Sequence, residues 1–321
     1  MQAFRRNQSV VMSQAVAELS DMGCHKNLFH LHRHASPLPS SRSVAEIIDL
    51  LRQIIFPGYF GQSELNTHTL SLHLALHVDQ LYALLMEQIA AGLCFEATEG
   101  ASCTGYAITL EEERAIQARA EQIAAEFVAK LPELRTKLAK DVEASYNADP
   151  AATSYGEIIA CYPTIRAVTN YRAAHLLLQL GVPLIPRMMS EMAHRETGID
   201  IHPAAQIGEY FNIDHGTGVV IGATCIIGNH VQLFQGVTLG AKSFPLDEHG
   251  NPIKHIPRHP ILEDGVIVYS NATILGRITV GKGAVIGGNV WITQDVSPGG
   301  KRSQNHSPKV QSLDPFDCAM L

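Results

Sequence analysis

The C-terminal third of the chain repeats an aliphatic residue at every sixth position, and glycine often follows it. An irregular stretch separates two registers, and a two-residue slip after Ile213 interrupts the first of them. The registers are Ile201, Ile207, Ile213, Ile221, Ile227, Leu233, Leu239 and then Leu262, Val268, Ile274, Val280, Ile286, Ile292. A period of six fits neither an α-helix nor an alternating strand. It is typical of a parallel β-helix, whose stacked strands keep one position inward.

A second position keeps the same phase. Four residues after most of these aliphatic residues stands a small or apolar side chain, which predicts a second inward-facing position in each hexad. These residues are Ala205, Phe211, Thr217, Cys225, Val231, Val237, Val266, Ala272, Ile278, Ala284 and Val290. The phase places Cys225 in the core as a small hydrophobe rather than a nucleophile. The repeat predicts the fold and leaves the function open.

The residues before the repeat have a helical pattern. Aliphatic residues at three- and four-residue steps from Val44 to Ile55 indicate a helix that ends at Pro57. Further helical patterns cover 70–93, 110–131 and 165–180. We therefore expect an α+β chain, in which an all-α N-terminal domain precedes the β-helix and can cap its strand edges.

Domain boundaries follow from these patterns. We expect an irregular segment at 1–40, a helical domain at 41–199, a β-helix at 200–298 and a polar tail at 299–321. Residues 241–260 fit no hexad and are rich in proline, so they are predicted to leave the solenoid as a loop. Long loops in compact folds are often functional.

Composition narrows the function classes. The chain has 321 residues and a formal net charge of −7, without a stripe of Lys and Arg, so nucleic acid is not an expected partner. No uncharged apolar run approaches the roughly 20 residues of a membrane span. The first residues lack an apolar signal region, and six scattered cysteines fit a reducing compartment. A cytoplasmic protein without membrane association is expected.

One hexad carries candidate chemistry. Asp214 and His215 stand side by side on its outer surface, flanked by glycines that let a ligand approach. Histidine is the commonest general base, and a carboxylate improves it by fixing the tautomer. Asp200, nearly one coil earlier, is the candidate carboxylate. From spacing alone, a solvated surface histidine beside a turn aspartate is an equal alternative.

The sequence alone leaves two interpretations open for several other polar residues. Arg258 and His259 close the predicted loop, where they either reach the same cleft or are ordinary loop residues. Asp149, followed by Pro150, is either a functional carboxylate or a helix N-cap with proline at the first helical position.

Several motifs together resemble the serine O-acetyltransferases, a hexapeptide-repeat acyltransferase family, and within it the subgroup with a long helical N-terminal half. The resemblance runs from about residue 149 to residue 296. Its motifs are Asp149-Pro150-Ala151-Ala152, Tyr171-Arg172-Ala173-Ala174-His175, Gly198-Ile199-Asp200-Ile201-His202-Pro203, Asp214-His215-Gly216-Thr217-Gly218, Gln235-Gly236-Val237-Thr238-Leu239-Gly240 and Arg258-His259-Pro260. Hexads alone would indicate only the wider acyltransferase superfamily.

The resemblance implies a left-handed β-helix that transfers acetyl from acetyl-CoA, as co-substrate, to L-serine in cysteine biosynthesis. No permanently bound cofactor and no metal are implied. The family pattern makes His215 the general base, Asp200 its partner and His259 a further catalytic residue. The implied serine-binding residues are Asp149, Asp214, Arg258 and His259. The implied coenzyme A groove is lined by Gly240, Ala241, Ser270, Lys282 and Gly288.

The resemblance also implies a homotrimer or a dimer of trimers, with active sites between neighbouring subunits. O-acetylserine sulfhydrylase is an implied partner, but the tail 317–321 lacks the C-terminal Ile through which many relatives bind it. The tail therefore does not support this partner. The Gly-Val-Pro-Ala motif that often closes the solenoid is also missing after Val296.

Other interpretations stay open. The same solenoid carries other CoA-dependent acyltransferases, and zinc hydratases of the carbonic anhydrase kind. Zinc would need three histidines within reach, which His215, His249, His255 and His259 supply without a favourable spacing. A non-catalytic assembly partner would be expected to lack the candidate catalytic residues, and all of them are present.

Overall fold

The computed structural model describes residues 2–21, 38–61, 65–98, 108–243 and 245–304. The chain forms helices up to Thr197, and a left-handed parallel β-helix begins at Asp200. This confirms the predicted α+β fold class. The helices are α1 (Gln2–Ser20), α2 (Ser41–Ile55), α3 (Leu70–Thr98), α4 (Leu110–Ala129), α5 (Leu131–Ala148), α6 (Tyr155–Cys161), α7 (Pro163–Gln179) and α8 (Ile185–Thr197).

Short strands of the solenoid pair in parallel into three sheets. The strands are β1 (Asp200–Ile201), β2 (Gln206–Ile207), β3 (Asn212–Asp214), β4 (Val220–Ile221), β5 (Ile226–Ile227), β6 (Gln232–Phe234), β7 (Thr238–Gly240), β8 (Ile261–Leu262), β9 (Ile267–Val268), β10 (Thr273–Leu275), β11 (Thr279–Val280), β12 (Val285–Ile286), β13 (Trp291–Ile292) and β14 (Lys301–Arg302). Sheet I has the order β1-β4-β7-β10-β13, sheet II β2-β5-β8-β11 and sheet III β3-β6-β9-β12-β14.

The chain turns at three corners in every coil. We call the turn from sheet I to sheet II corner 1, that from sheet II to sheet III corner 2, and that from sheet III back to sheet I corner 3. The hexad residues point into the prism between the sheets, where Ile213, Leu239 and Ile274 have no exposed surface. Full burial of such a side chain is worth about 1.5–3 kcal/mol. The repeat is thus the core of the fold.

The two-residue slip in the sequence is an insertion at corner 3 of the first coil. Asp200 of β1 pairs with Val220 of β4, which in turn pairs with Thr238 of β7, so the first coil is the longer one. The insertion moves the second inward position. Thr217 was expected there but is exposed, and Val219 is fully buried instead.

The N-terminal boundary prediction was wrong in part. Residues 2–20 form α1, although an irregular segment was expected over 1–40. This stretch contains neither proline nor glycine, the residues that most often interrupt a helix. The rest of that prediction, including the histidine-rich text at 25–34, falls largely outside the described residues. At the other end, β14 continues sheet III inside the predicted polar tail.

The division into compact units also differs from the predicted boundary at 199 and 200. One unit contains residues 133–175 together with the chain from residue 190 onward. The other contains residues 1–132 and 176–189. The physical reason is a set of hydrogen bonds between α7 and the first coil, which make part of the helical region belong to the solenoid.

The first coil needs hydrogen-bond donors from outside the sheets. Bonds between coils run in both directions: Asp200 donates its N–H to the Val219 carbonyl one coil later at 2.9 Å, and His230 donates back to the Glu209 carbonyl of the preceding coil at 2.9 Å. The first coil has no preceding strand, so carbonyl groups on that side need other donors, and an unpaired buried carbonyl is costly. Side chains of α7 donate to carbonyl groups between residues 203 and 213. The donors are Thr164 Oγ1, Tyr171 Oη, the Arg172 guanidinium and His175 Nδ1.

A buried ion pair holds the central donor of this cap. Arg172 contacts Asp141 of α5 through two hydrogen bonds of 2.5 and 2.8 Å, and the two side chains are 5% and 1% exposed. Asp141 also accepts the backbone N–H of Phe211 at 3.0 Å. Removing one partner would leave the other charged and buried.

We expect Arg172→Ala to lower the free energy of unfolding by about 3–5 kcal/mol. The change leaves the buried Asp141 carboxylate without its ion-pair partner and two carbonyl groups without their hydrogen-bond donor. Arg166→Ala is the matched control, since Arg166 pairs with Glu196 at the surface and such pairs contribute about 1 kcal/mol or less. Urea unfolding followed by circular dichroism measures both. Equal losses in the two variants would contradict the cap.

Candidate functional site

Corner 3 of the first coil displays the candidate base. His215 lies on the two-residue insertion with its side chain 71% exposed, and its Nδ1 is 3.7 Å from Oδ1 of Asp214. Its φ of 57° is in the left-handed region, which a non-glycine residue adopts only at a cost. The backbone thus holds an accessible imidazole beside a carboxylate.

Gly216 makes this corner possible. Its φ is 89°, and a Cβ there would lie 2.4 Å from Cδ1 of Ile199. The next part of the insertion is fastened to the preceding segment, since Gly218 donates its N–H to the Gly198 carbonyl at 2.8 Å. Close contact therefore explains Gly216, and a positive φ of 81° explains Gly218.

Asp200 lies at the same corner as His215. It begins β1 directly beside Val220, the first residue after the insertion, and its side chain is half-buried. The structure contains no hydrogen bond between the Asp200 and His215 side chains, and the carboxylate beside the imidazole is that of Asp214. The role of Asp200 as partner of the base stays a prediction.

Asp149 joins the corner 3 group. Its Oδ2 accepts a hydrogen bond from the Tyr162 hydroxyl at 2.5 Å, and its Oδ1 accepts the Ala151 N–H at 2.8 Å. These bonds, that from Tyr162 first, lower the pKa of Asp149, with a smaller electrostatic contribution from the His215 side chain. The same bond and burial raise the pKa of Tyr162 to about 12. The residue that caps the following helix is Ser154, so Asp149 is not an N-cap.

Corner 1 holds the second group. His259 is buried, and its ring covers Gly222 so closely that a Cβ there would lie 2.0 Å from Cδ2. Burial first, and then the charges of Arg258, His202 and Arg277, lower the pKa of His259 to about 4. The ring is therefore neutral at pH 7, unlike a poised base.

A cationic groove of about 290 Å³ adjoins His259 at corner 1. Lys242, Arg258 and Arg277 line it together with Pro245 and Gly276. Arginine and lysine bind phosphates and carboxylates through charge-assisted hydrogen bonds. The groove therefore suits an anionic ligand.

The residues predicted to line a coenzyme A groove lie at all three corners. Ser270 and Gly288 stack at corner 3, whereas Gly240 ends β7 and Ala241 follows it at corner 1. Lys282 lies at corner 2, where its Nζ is 3.8 Å from an aspartate carboxylate. Within one chain the structure does not bring these five residues together. It also separates His215 from His259.

Three residues of these groups were missed from the sequence. Tyr162 and Thr224 carry no pattern that sets them apart, because their contacts join segments far apart in the chain. Arg277 had a usable signal, since it stands one coil after His259 at the same corner. Its guanidinium bonds the carbonyl groups of Thr224 and His259 at 2.6 and 3.0 Å.

Three further properties bear on the alternatives. Within the described ranges, no three His, Cys, Asp or Glu side chains are grouped as metal ligands, and His249 is 76% exposed on the loop. Cys225 is fully buried, and burial raises its thiol pKa to about 12, so it is not poised as a nucleophile. The described helices include none with the length and apolar character of a membrane span.

Comparison with known proteins gives consistent relatives. A plasmid serine acetyltransferase of Synechococcus elongatus is 48% identical over 269 residues, which cover 84% of this chain and 82% of that protein. The serine acetyltransferase of Bacillus licheniformis is 46% identical over 159 residues, 50% of this chain and 69% of that protein. Serine acetyltransferase 1 of Entamoeba histolytica, solved with L-cysteine, has a TM-score of 0.66 at 35% identity, covering 80% and 85% of the two chains. No protein-family model matches the chain.

We expect Tyr162→Phe to raise the pKa of the Asp149 carboxyl toward its ordinary value. The hydroxyl bond favours the charged carboxylate, so its loss makes protonation easier and moves it to higher pH. An NMR titration of labelled aspartate measures the shift. Tyr146→Phe is the control, because the Tyr146 ring packs against Tyr155, with 4.6 Å between ring centroids, and donates no hydrogen bond to Asp149. An unchanged Asp149 titration in Tyr162→Phe would contradict the assignment.

Proposed function

Because this chain belongs to the serine acetyltransferase family, we propose that it transfers the acetyl group of acetyl-CoA to the hydroxyl of L-serine. The product is O-acetyl-L-serine, an intermediate of cysteine biosynthesis. One observation supports the proposal at the level of individual residues. The insertion at corner 3 displays His215 next to Asp214, within electrostatic reach of Asp149, which is the arrangement that an amino alcohol requires.

His215 is the proposed general base. Its exposed imidazole takes the proton of the serine hydroxyl as the oxygen attacks the thioester carbonyl. A C–O bond forms, the C–S bond breaks, and the proton passes from His215 to the departing thiolate of coenzyme A. The carboxylates of Asp214 and Asp200 favour the transient imidazolium. Direct transfer suffices, because the buried Cys225 is no acyl carrier.

The charges around the site suit the ends of serine. Asp149 is held ionised by its hydrogen bonds, and together with Asp214 it attracts the ammonium group. Arg258 suits the carboxylate. Fixing both ends holds the hydroxyl beside the thioester, which turns a bimolecular attack into a local one.

The active site is proposed to form between subunits of a homotrimer or a dimer of trimers. His215 and His259 lie at different corners of one solenoid, so the corner 1 group of one subunit would complete the corner 3 group of its neighbour. The cationic groove at corner 1 suits the phosphates of acetyl-CoA, which is consumed rather than permanently bound. A cytoplasmic location remains a prediction.

We expect acetyl-CoA cleavage, followed through the released thiol, to proceed with serine in preference to homoserine, threonine or an amino sugar. His215→Ala should lower kcat by roughly 10²–10⁴, the usual contribution of a general base. His249→Ala is the matched control, because that histidine lies exposed on the loop. Near-normal turnover of His215→Ala at neutral pH would exclude the mechanism, and a different preferred acceptor would exclude the substrate.

Active sites formed between subunits predict that two inactive variants can complement each other. His215→Ala and His259→Ala proteins should each be inactive, and mixing them after dissociation should restore part of the activity. In a mixed trimer, some interfaces join an intact corner 3 to an intact corner 1. Reassembly of each variant alone is the control. A protein that is monomeric at assay concentration and fully active would rule out shared sites.

A further inference from the structure

We propose that Thr224 is a positioning residue that fixes the His259 imidazole as a neutral hydrogen-bond donor through Nε2. The inference rests on the proposed function, because the role it describes is exerted on the substrates of acetyl transfer. Thr224 lies at corner 1 one coil before His259, and nothing in its hexad marks it as special.

The contacts of the ring determine its tautomer. The Thr224 backbone N–H points at His259 Nδ1 over 3.1 Å, and the Thr224 Oγ1 is 2.8 Å from the same nitrogen. A backbone amide can only donate, so Nδ1 must accept. A neutral imidazole has one proton, and with Nδ1 as acceptor that proton is on Nε2.

The Thr224 hydroxyl is itself held in orientation. Its oxygen accepts the backbone N–H groups of Arg258 at 2.9 Å and of His259 at 3.1 Å. With its acceptor sites occupied in this way, the hydroxyl hydrogen is directed at the imidazole. Thr224 therefore fixes the end of the loop, at Arg258 and His259, as well as the His259 ring. Thr224, the loop end and the ring form one hydrogen-bonded unit.

The surroundings of this unit restrict it further. Arg277 bonds the carbonyl groups of Thr224 and His259, which ties the corner to the returning loop. Gly222 leaves the space that the ring occupies, since a Cβ there would lie 2.2 Å from Nε2. The ring is thus confined on one side by backbone and on another by threonine.

The charges around the ring keep it neutral. Burial acts first, and the cationic or titratable groups that act on it are Arg258, His202 and Arg277, which together lower the pKa of His259 to about 4. A ring with Nδ1 engaged and Nε2 protonated has no free lone pair for a substrate proton. His259 then serves as a donor to an oxygen atom, where a fixed donor stabilises developing negative charge. His215 alone remains the base.

The test compares Thr224→Val with Thr224→Ser. Valine keeps the shape and the backbone N–H but removes the hydroxyl, whereas serine restores the hydroxyl. We expect Thr224→Val to lower kcat/KM for serine roughly tenfold and Thr224→Ser to stay within about threefold of the unaltered chain, as for loss of one buried hydrogen bond. Thermal unfolding of both variants separates this effect from a loss of folded protein.

Nitrogen NMR of ¹⁵N-histidine-labelled protein reads the tautomer directly. His259→Gln assigns the signal by its loss. We expect Nε2 protonated and Nδ1 unprotonated between pH 6 and pH 8 in the unaltered chain and also in Thr224→Val, because valine keeps the backbone N–H that requires Nδ1 to accept. A protonated Nδ1 in the unaltered chain, or identical serine kinetics in all three proteins, would overturn the proposal. If the tautomer is as expected but serine is not acetylated, the proposed function fails and the positioning role stands.

Discussion

The solenoid depends on completing the hydrogen bonds of its first coil. An inner coil bonds the coils before and after it, whereas the first coil has no coil before it, so some of its carbonyl groups face away from any strand. Where that end is buried, its carbonyl groups require donors at fixed positions. The four donors of α7 meet this requirement, and three of them belong to one motif at 171–175. The motif is therefore explained by the fold, without any contact to substrate.

The catalytic arrangement uses a local departure from the same regularity. A strict hexad places an outward side chain at a flat corner, whereas the insertion raises His215 and lets Gly216 contact Ile199. The ordered coils on either side hold this strained corner, because their registers are set by buried aliphatic residues. Strain is tolerated here since the surrounding structure determines it.

The period of six was sufficient to predict the coils and most of their inward residues. It predicted where the register slips but not that Val219 would replace Thr217, because an insertion leaves open which residue turns inward. The handedness came from the family resemblance, since a periodic pattern is the same in either hand. Tyr162 and Thr224 escaped prediction because their roles are contacts between distant segments. The sequence was sufficient to name the candidate residues of the site. That they lie at two different corners became apparent only from the folded structure.

The loop at 241–260 has a consequence for the order in which the solenoid folds. Strands β4 and β7 pair Val220 with Thr238, whereas β7 and β10 pair Thr238 with Thr273, across nearly twice as much chain. Closing a loop twice as long costs only about 0.6 kcal/mol more in chain entropy. That cost must be met before the next coil contributes any contacts. Coils on the two sides of the loop can therefore nucleate apart, each from closures of ordinary length. Their union, through the pairs β7–β10, β5–β8 and β6–β9 of the three sheets, would be the late event of folding, and it is the same event that brings His259 over Gly222.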